Sequence, residues 1–143
     1  MKVYRVGNWL HRMKCPFLPF IFNGIIRLVH NSAVFSETKI GSGTIFSYGG
    51  IGVVIHKGCE IGENCVIGSN VTIGGKSNSQ GVPVIGNNCF IATGVKILGD
   101  IEVGDNSVIG ANAVVVTSIP KNSLVTGIPA KVIKTNINPR DYY

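Results

Sequence analysis

Charge is scarce in this chain, and negative charge is scarcest. Asp, Glu, Lys and Arg together make up 14% of the 143 residues, against 45% hydrophobic. That balance excludes a disordered chain, which would be rich in charge and poor in apolar groups. A shape with little free surface, or an oligomer, accounts for it. Residues 1–36 contain no acid, only the bases Lys2, Arg5, Arg12, Lys14 and Arg27, within a net charge of +6. Such a distribution favours an anionic partner: a phosphorylated cofactor, a membrane surface or nucleic acid. Lys and Arg never run longer than two and no nucleic-acid module signature occurs. The phosphorylated cofactor therefore carries the most weight, and no nucleic-acid partner is expected.

Other absences narrow the field further. Cys15, Cys59, Cys65 and Cys89 form no CxxC pair, so they read as reduced core residues rather than disulfides or metal ligands, which points to the cytoplasm. No His/Cys spacing calls for a metal. There is no G-x-S-x-G elbow and no Walker-type loop. The longest apolar stretch, PFLPFIFNGIIRLV at 16–29, is interrupted by Pro, Asn, Gly and Arg and is too short to span a bilayer. Residues 1–13 lack the apolar core of a signal peptide. Aromatics and bases do interleave over residues 1–30, which fits peripheral contact with the inner face of a membrane as well as burial at a subunit contact.

What is abundant is a period of six. From Ile55 the chain reads IHKGCE, IGENCV, IGSNVT, and later IGNNCF, IATGVK, ILGDIE, VGDNSV, IGANAV. Positions 55, 61, 67, 73, 85, 91, 97, 103, 109 and 115 are all Ile or Val. The next position is mostly Gly (62, 68, 74, 86, 104, 110), which suits a sharp turn where a side chain would be costly. The fifth position is small or β-branched: Cys59, Cys65, Val71, Cys89, Val95, Ile101, Ser107, Ala113, Ile119. A six-residue unit containing a turn does not match the 3.6 period of a helix. It reads as a short strand plus a corner, three units to a triangular coil, stacked as a parallel β-helix. Each anchor then lies on the anchor eighteen residues away.

Two places break the count. Val34, Ile40 and Phe46 are also six apart, but three residues out of phase with Ile55, and the slip falls in SYGGIG. Residues 74–84, GGKSNSQGVPV, have no apolar anchor at Ser79 and read as a loop leaving the coil. The chain thus divides into an N-terminal helical segment (1–32, helices over 3–13 and 17–30 parted at Pro16 and Pro19), an all-β coil domain (33–134) closed by a cap over 120–134, and a loose tail (135–143).

The hexads, GVPVIG after the polar loop, KILGDIEVGDNSVIGANAVV and the closing SLVTGIPAKVI resemble the hexapeptide-repeat acyltransferases. They are most similar to the branch holding serine O-acetyltransferases and the sugar O-acetyltransferases of polysaccharide biosynthesis. The resemblance covers about residues 33–134. It implies a left-handed coil, a homotrimer, acetyl-CoA as co-substrate and active sites between adjacent subunits. The serine acetyltransferase pattern departs here at its catalytic places. Its Asp-His pair falls on Ser47-Tyr48, its loop histidine on Val82, its leading acid near Ala33, and its loop is about two residues longer. These departures point away from serine and towards another hydroxyl, on a sugar or glycan intermediate.

Acetyl transfer from a thioester to a hydroxyl needs proton removal, oxyanion stabilisation and alignment, and no covalent nucleophile. Of the three histidines, His11 and His30 lie in the basic segment, and His56 follows Ile55 in the column normally held by Gly. That position faces outward, so His56 is the candidate general base, with Tyr48 placed to bind the acceptor or orient His56. Ser69 and Asn70, ahead of the loop, are candidate acceptor contacts. What the resemblance implies for the donor is a cleft along Gly74, Gly75, Ala92, Thr93 and Ala111, with Lys76, Lys131 and Lys134 meeting its phosphates. Two other readings stay open: a serine acetyltransferase with a rearranged site, and a non-catalytic trimeric binding module.

Overall fold

The computed structural model describes residues 2–14 and 17–142. Cys15, expected to be a core residue, lies outside them. Two helices come first, α1 (Lys2–Arg12) and α2 (Leu18–His30). Pro19 sits in the first turn of α2, where its missing N–H costs nothing, and Asn31 ends the helix in the left-handed conformation (φ 46°).

The coils follow in order. The first is β1 (Ala33–Val34), β2 (Lys39–Ile40) and β3 (Ile45–Phe46); the second β4 (Val54–Ile55), β5 (Glu60–Ile61) and β6 (Val66–Ile67). The third is β7 (Thr72–Gly74), β8 (Val84–Ile85) and β9 (Phe90–Ile91); the fourth β10 (Lys96–Leu98), β11 (Glu102–Val103) and β12 (Val108–Ile109). A fifth, β13 (Val114–Val115) and β14 (Ser123–Gly127), ends in β15 (Ala130–Thr135). Three parallel faces result: β1-β4-β7-β10-β13, β2-β5-β8-β11, and β3-β6-β9-β12-β14, the last extended by antiparallel β15.

The register confirms the eighteen-residue ladder where the hexads are unbroken, as in Ile55 on Ile73 and Ile91 on Ile109. Across the slip the spacing is 21, Val34 on Ile55, and across the polar loop it is 24, Ile73 on Ile97. Three residues are therefore absorbed at SYGGIG and six at the loop, without disturbing the ladders. Ile55, Ile67, Ile73, Ile91, Ile97 and Ile109 are wholly inaccessible, and each such burial is worth about 1.5–3 kcal/mol. Cys59, Cys65 and Cys89 point into the same core, as their column requires.

The glycine column differs from expectation in its cause. Gly62 does not take positive φ. A Cβ there would lie 2.6 Å from the backbone of Gly86 in the coil above, so the glycine permits close stacking of coils. The sharp turn is made two residues later, by asparagine: Asn64, Asn70, Asn88, Asn106, Asn112 and Asn122 all have φ between 54° and 58°, a conformation Asn tolerates better than other side chains. Asn88 donates to Asn106 at 3.2 Å and Asn106 to Asn122 at 3.0 Å, a ladder along one edge.

The helices close the first coil. Tyr4 and Ile26 join the core. The Tyr4 hydroxyl donates to the Thr38 carbonyl, the Arg5 guanidinium to the carbonyls of Ile40 (2.9 Å) and Gly41 (2.7 Å), and Asn23 Oδ1 accepts from the Ser36 N–H and hydroxyl. At the other end the tail is tied down rather than loose. Ile137 and Pro139 are buried and the Ile137 N–H donates to the Asn122 carbonyl at 3.1 Å.

Candidate active site

The prism has three edges, one at each corner between faces. His56 lies on the edge after β4, exposed to solvent. Its backbone is locked into the coil: the N–H donates to the Ile73 carbonyl (2.9 Å) and the carbonyl accepts from the Cys59 N–H (3.0 Å). The side chain is oriented as well, because Nδ1 accepts from the Gly58 N–H at 3.1 Å. In neutral imidazole the proton then sits on Nε2, which is left facing outward. A side chain fits in this glycine column because Gly74 stands above it. A Cβ on Gly74 would meet only His56 Cβ, at 3.7 Å.

The polar loop starts at the same edge and folds back on it. Lys76 accepts at its carbonyl from the Ser79 N–H (3.0 Å), and Ser79 Oγ accepts from the Asp100 N–H (3.1 Å). Val82 returns to the core boundary and shares the space over Gly58 with His56. Beneath the loop lies a cleft of about 420 Å³ lined by Lys76, Ser79, Gly99 and Asp100. A Cβ on Gly75 would meet only Val82, at 4.0 Å. The strand end beside His56 is therefore open enough for a ligand to approach the backbone.

Tyr48 stands on a different edge, in the turn Ser47–Gly50 that precedes β4. Its φ of 52° is left-handed and the residue is 79% exposed. Such a conformation costs a non-glycine residue about 1–2 kcal/mol. The structure does not bring it to His56, since the two sit at opposite ends of β4. The imidazole beside Tyr48 is that of His30. A Cβ on Gly49 would lie 3.2 Å from its Nδ1, and its carbonyl accepts from the Gly52 N–H at 3.3 Å.

The remaining candidates divide between the same two edges. Gly74, Gly75 and Lys76 share the His56 edge. Ser69, Asn70, Ala92, Thr93 and Ala111 share the Tyr48 edge, where the Ser69 and Thr93 hydroxyls are 3.5 Å apart. Lys131 pairs with Thr126 near that edge, while Lys134, opposite Leu124, lies further along β15. The cleft expected from Gly74 to Ala111 is thus not continuous within one chain. Lys96 escaped the sequence reading: its Nζ donates to the Asn70 carbonyl at 2.6 Å, a contact across 26 residues that no local pattern announces.

Cys59 and Cys89 are held as thiols, and Cys65, whose thiol the hydrogen bond with Cys89 lowers, is wholly buried. Burial pushes the Cys59 thiol up to about 11, opposed by a hydrogen bond to the His56 backbone. The Cys89 thiol is raised by its hydrogen bond with Cys65 and by burial. Among the described residues no group of His, Cys, Asp and Glu could hold a metal.

The model for bacterial transferase hexapeptides (six repeats) matches residues 50–75 and 83–117, the coils on either side of the polar loop. A serine acetyltransferase of Synechococcus elongatus is 34% identical over 97% of this chain and 59% of its own length. The chain is a hexapeptide-repeat coil similar to the acyltransferases of the serine O-acetyltransferase-like branch. Among solved members, the Brucella abortus serine acetyltransferase superposes with a TM-score of 0.89 at 28% identity, over 96% of this chain and 56% of that one. The Vibrio cholerae serine acetyltransferase gives 0.84 at 32%, over 93% and 52%. The same Brucella enzyme in complex with coenzyme A gives 0.87 at 29%, over 94% and 54%. The coil is left-handed, as in these neighbours. The chain spans between half and three fifths of the length of the relatives it matches.

Proposed function

We propose that the protein is an acetyl-CoA-dependent O-acetyltransferase whose acceptor is a hydroxyl of a sugar or glycan intermediate, acting as a homotrimer in the cytoplasm. The observation that carries the reading is His56: an oriented, exposed imidazole beside open strand-end backbone at Gly74 and Gly75. The solved relative that binds coenzyme A supports the donor. Ser47, Tyr48 and Val82, at the places where the serine pattern carries Asp and His, support an acceptor other than serine.

His56 is the general base. To accept a proton at Nε2 the ring carries its own hydrogen on Nδ1, so the Gly58 N–H contact belongs to the resting state and gives way as the acceptor binds. The acceptor hydroxyl attacks the thioester carbonyl as its proton passes to the imidazole. The same proton leaves the imidazolium for the departing thiolate, so the enzyme ends unchanged. Backbone N–H groups beyond Gly74 stabilise the oxyanion, and Lys76 and Lys131 offset phosphate charge. Ser69 and Asn70 contact the acceptor, and Tyr48 and Lys96 position that edge.

The test is an acetyl-CoA consumption assay with serine and a panel of sugars and glycan precursors. Turnover with a sugar and none with serine is expected, and His56→Ala lowers it by about 10²–10⁴-fold. Full activity of folded His56→Ala rejects His56 as base. A second reading, acetyl transfer to serine, is favoured by the names of the relatives; turnover with serine alone would establish it. Failure to bind coenzyme A would leave a trimeric binding module.

A further inference from the structure

Among the described residues, ten of the twenty exposed large apolar side chains lie between residues 6 and 29, on the two short helices and at the ends that join them. On α1, Val6 and Trp9 face outward, and Met13 continues their line just past its end; on α2, Leu18, Ile21, Ile25 and Leu28 do so. These spacings of three and four make one stripe on each helix, opposite the faces that bury Tyr4 and Ile26. The exposures are large: Trp9 is 59% and Leu28 88% accessible. Stripes of this kind rarely face water without a partner.

The charges around them name the partner's sign. Arg5, Arg12, Lys14 and Arg27 all lie on this segment, which has no acid before Glu37. A cleft of about 840 Å³ between the helices and the first coil is lined by Arg12 and Lys14, with Glu37 the one acid on its wall and Lys39 there already paired with Glu60. A second copy offering the same face would bring bases against bases. An anionic bilayer offers acyl chains to the stripes and negative headgroups to the flanking bases together. No helix among the described residues is long and apolar enough to cross a membrane.

We infer that the α1–α2 pair docks the protein on the surface of an anionic lipid bilayer. The helices lie in the plane of the interface, with Trp9, Ile21 and Leu28 below the headgroups and Arg12, Lys14 and Arg27 among them. The coil, tied to the helices through Tyr4, Arg5 and Asn23, is then held with its first turn nearest the lipid. This inference does not depend on the acceptor proposed above.

Trp9 is the only tryptophan, so its emission reports this segment directly. The full chain is mixed with phosphatidylcholine vesicles with and without phosphatidylglycerol, and followed by co-sedimentation and by quenching of Trp9 with brominated acyl chains. Binding to the anionic vesicles, a blue shift and quenching are expected. One base near the surface contributes about fivefold in binding, so Arg12→Gln with Lys14→Gln weakens it by roughly 25-fold, and raising the salt to about 1 M does the same by screening. Leu28→Glu, at a position that supports no core contact, abolishes quenching while circular dichroism stays native. No binding to the anionic vesicles, or binding without Trp9 quenching, overturns the inference. So does a finding that Leu28→Glu dissociates an oligomer whose wild-type form ignores vesicles, because a second copy then covers the stripes.

Discussion

Gly62 and Gly74 occupy the same place in the repeat for different reasons, and substitution separates them. A methyl group on Gly62 would collide with the backbone of the next coil at 2.6 Å, and backbone cannot rotate away as a side chain can. Gly62→Ala is expected to cost about 1–3 kcal/mol, read as a drop of several degrees in Tm. At Gly74 the same methyl group meets only His56 Cβ at 3.7 Å. Gly74→Ala should melt at or slightly above the wild-type temperature, because alanine loses less backbone entropy on folding, yet raise KM for acetyl-CoA by narrowing the open strand end. His56 allows a sharper substitution. Asparagine at 56 can still accept the Gly58 N–H through Oδ1, so it keeps the local geometry and removes only the base. Stability equal to wild type together with turnover as low as that of His56→Ala would separate chemistry from structure. Wild-type turnover in the Asn variant would show that position 56 only shapes the edge.

The helical pair is tied to the coil through the side chains of Tyr4, Arg5, Asn8 and Asn23, and Tyr4 makes that tie depend on pH. Burial pushes the Tyr4 phenol up to about 12, partly offset by the neighbouring Arg5. In the unfolded chain it titrates near 10. Between those values the unfolded state has lost a proton that the folded state keeps, so stability is complete below pH 10 and falls as pH rises towards 12. Tyr4→Phe should remove that part of the alkaline loss and cost about 0.5–1.5 kcal/mol at neutral pH for the bond to Thr38, measured by urea unfolding at several pH values. This element also shows what could be read in advance. The helices were legible from their prolines and apolar spacing, and the coil from its anchors, because both patterns are local and repeat. The ties of Tyr4 to Thr38 and Arg5 to Ile40 were not, since they join residues more than thirty apart. The loose tail failed for the same reason, its contact being Ile137 with distant Asn122. The turn-making asparagines were visible as a column and went unread beside the glycines.

For the whole molecule, the decisive fact is that the candidate residues lie on two edges of a rigid prism, separated by a face. The ladders leave no room to bring them together: Ile55, Ile73 and Ile97 fill the interior behind that face, and truncating one, as in Ile97→Ala, is expected to cost about 2–5 kcal/mol rather than to let the edges move. Position, and not flexibility, therefore limits what one chain can do. A site using both His56 and the Ser69–Thr93 edge takes one edge from each of two copies, the arrangement a cyclic trimer provides. The consequence is measurable with two inactive variants. His56→Asn disables the first edge, and Thr93→Trp, at an exposed position, blocks the second. Each alone should have little turnover. Unfolded together in equal amounts and refolded, the chains mix at random, and a site is whole only when one neighbour supplies an intact His56 edge and the other an intact Thr93 edge. That occurs in about a quarter of the sites, so about a quarter of wild-type activity should return. If both edges of a site came from the same chain, every site would carry a lesion and mixing would restore nothing.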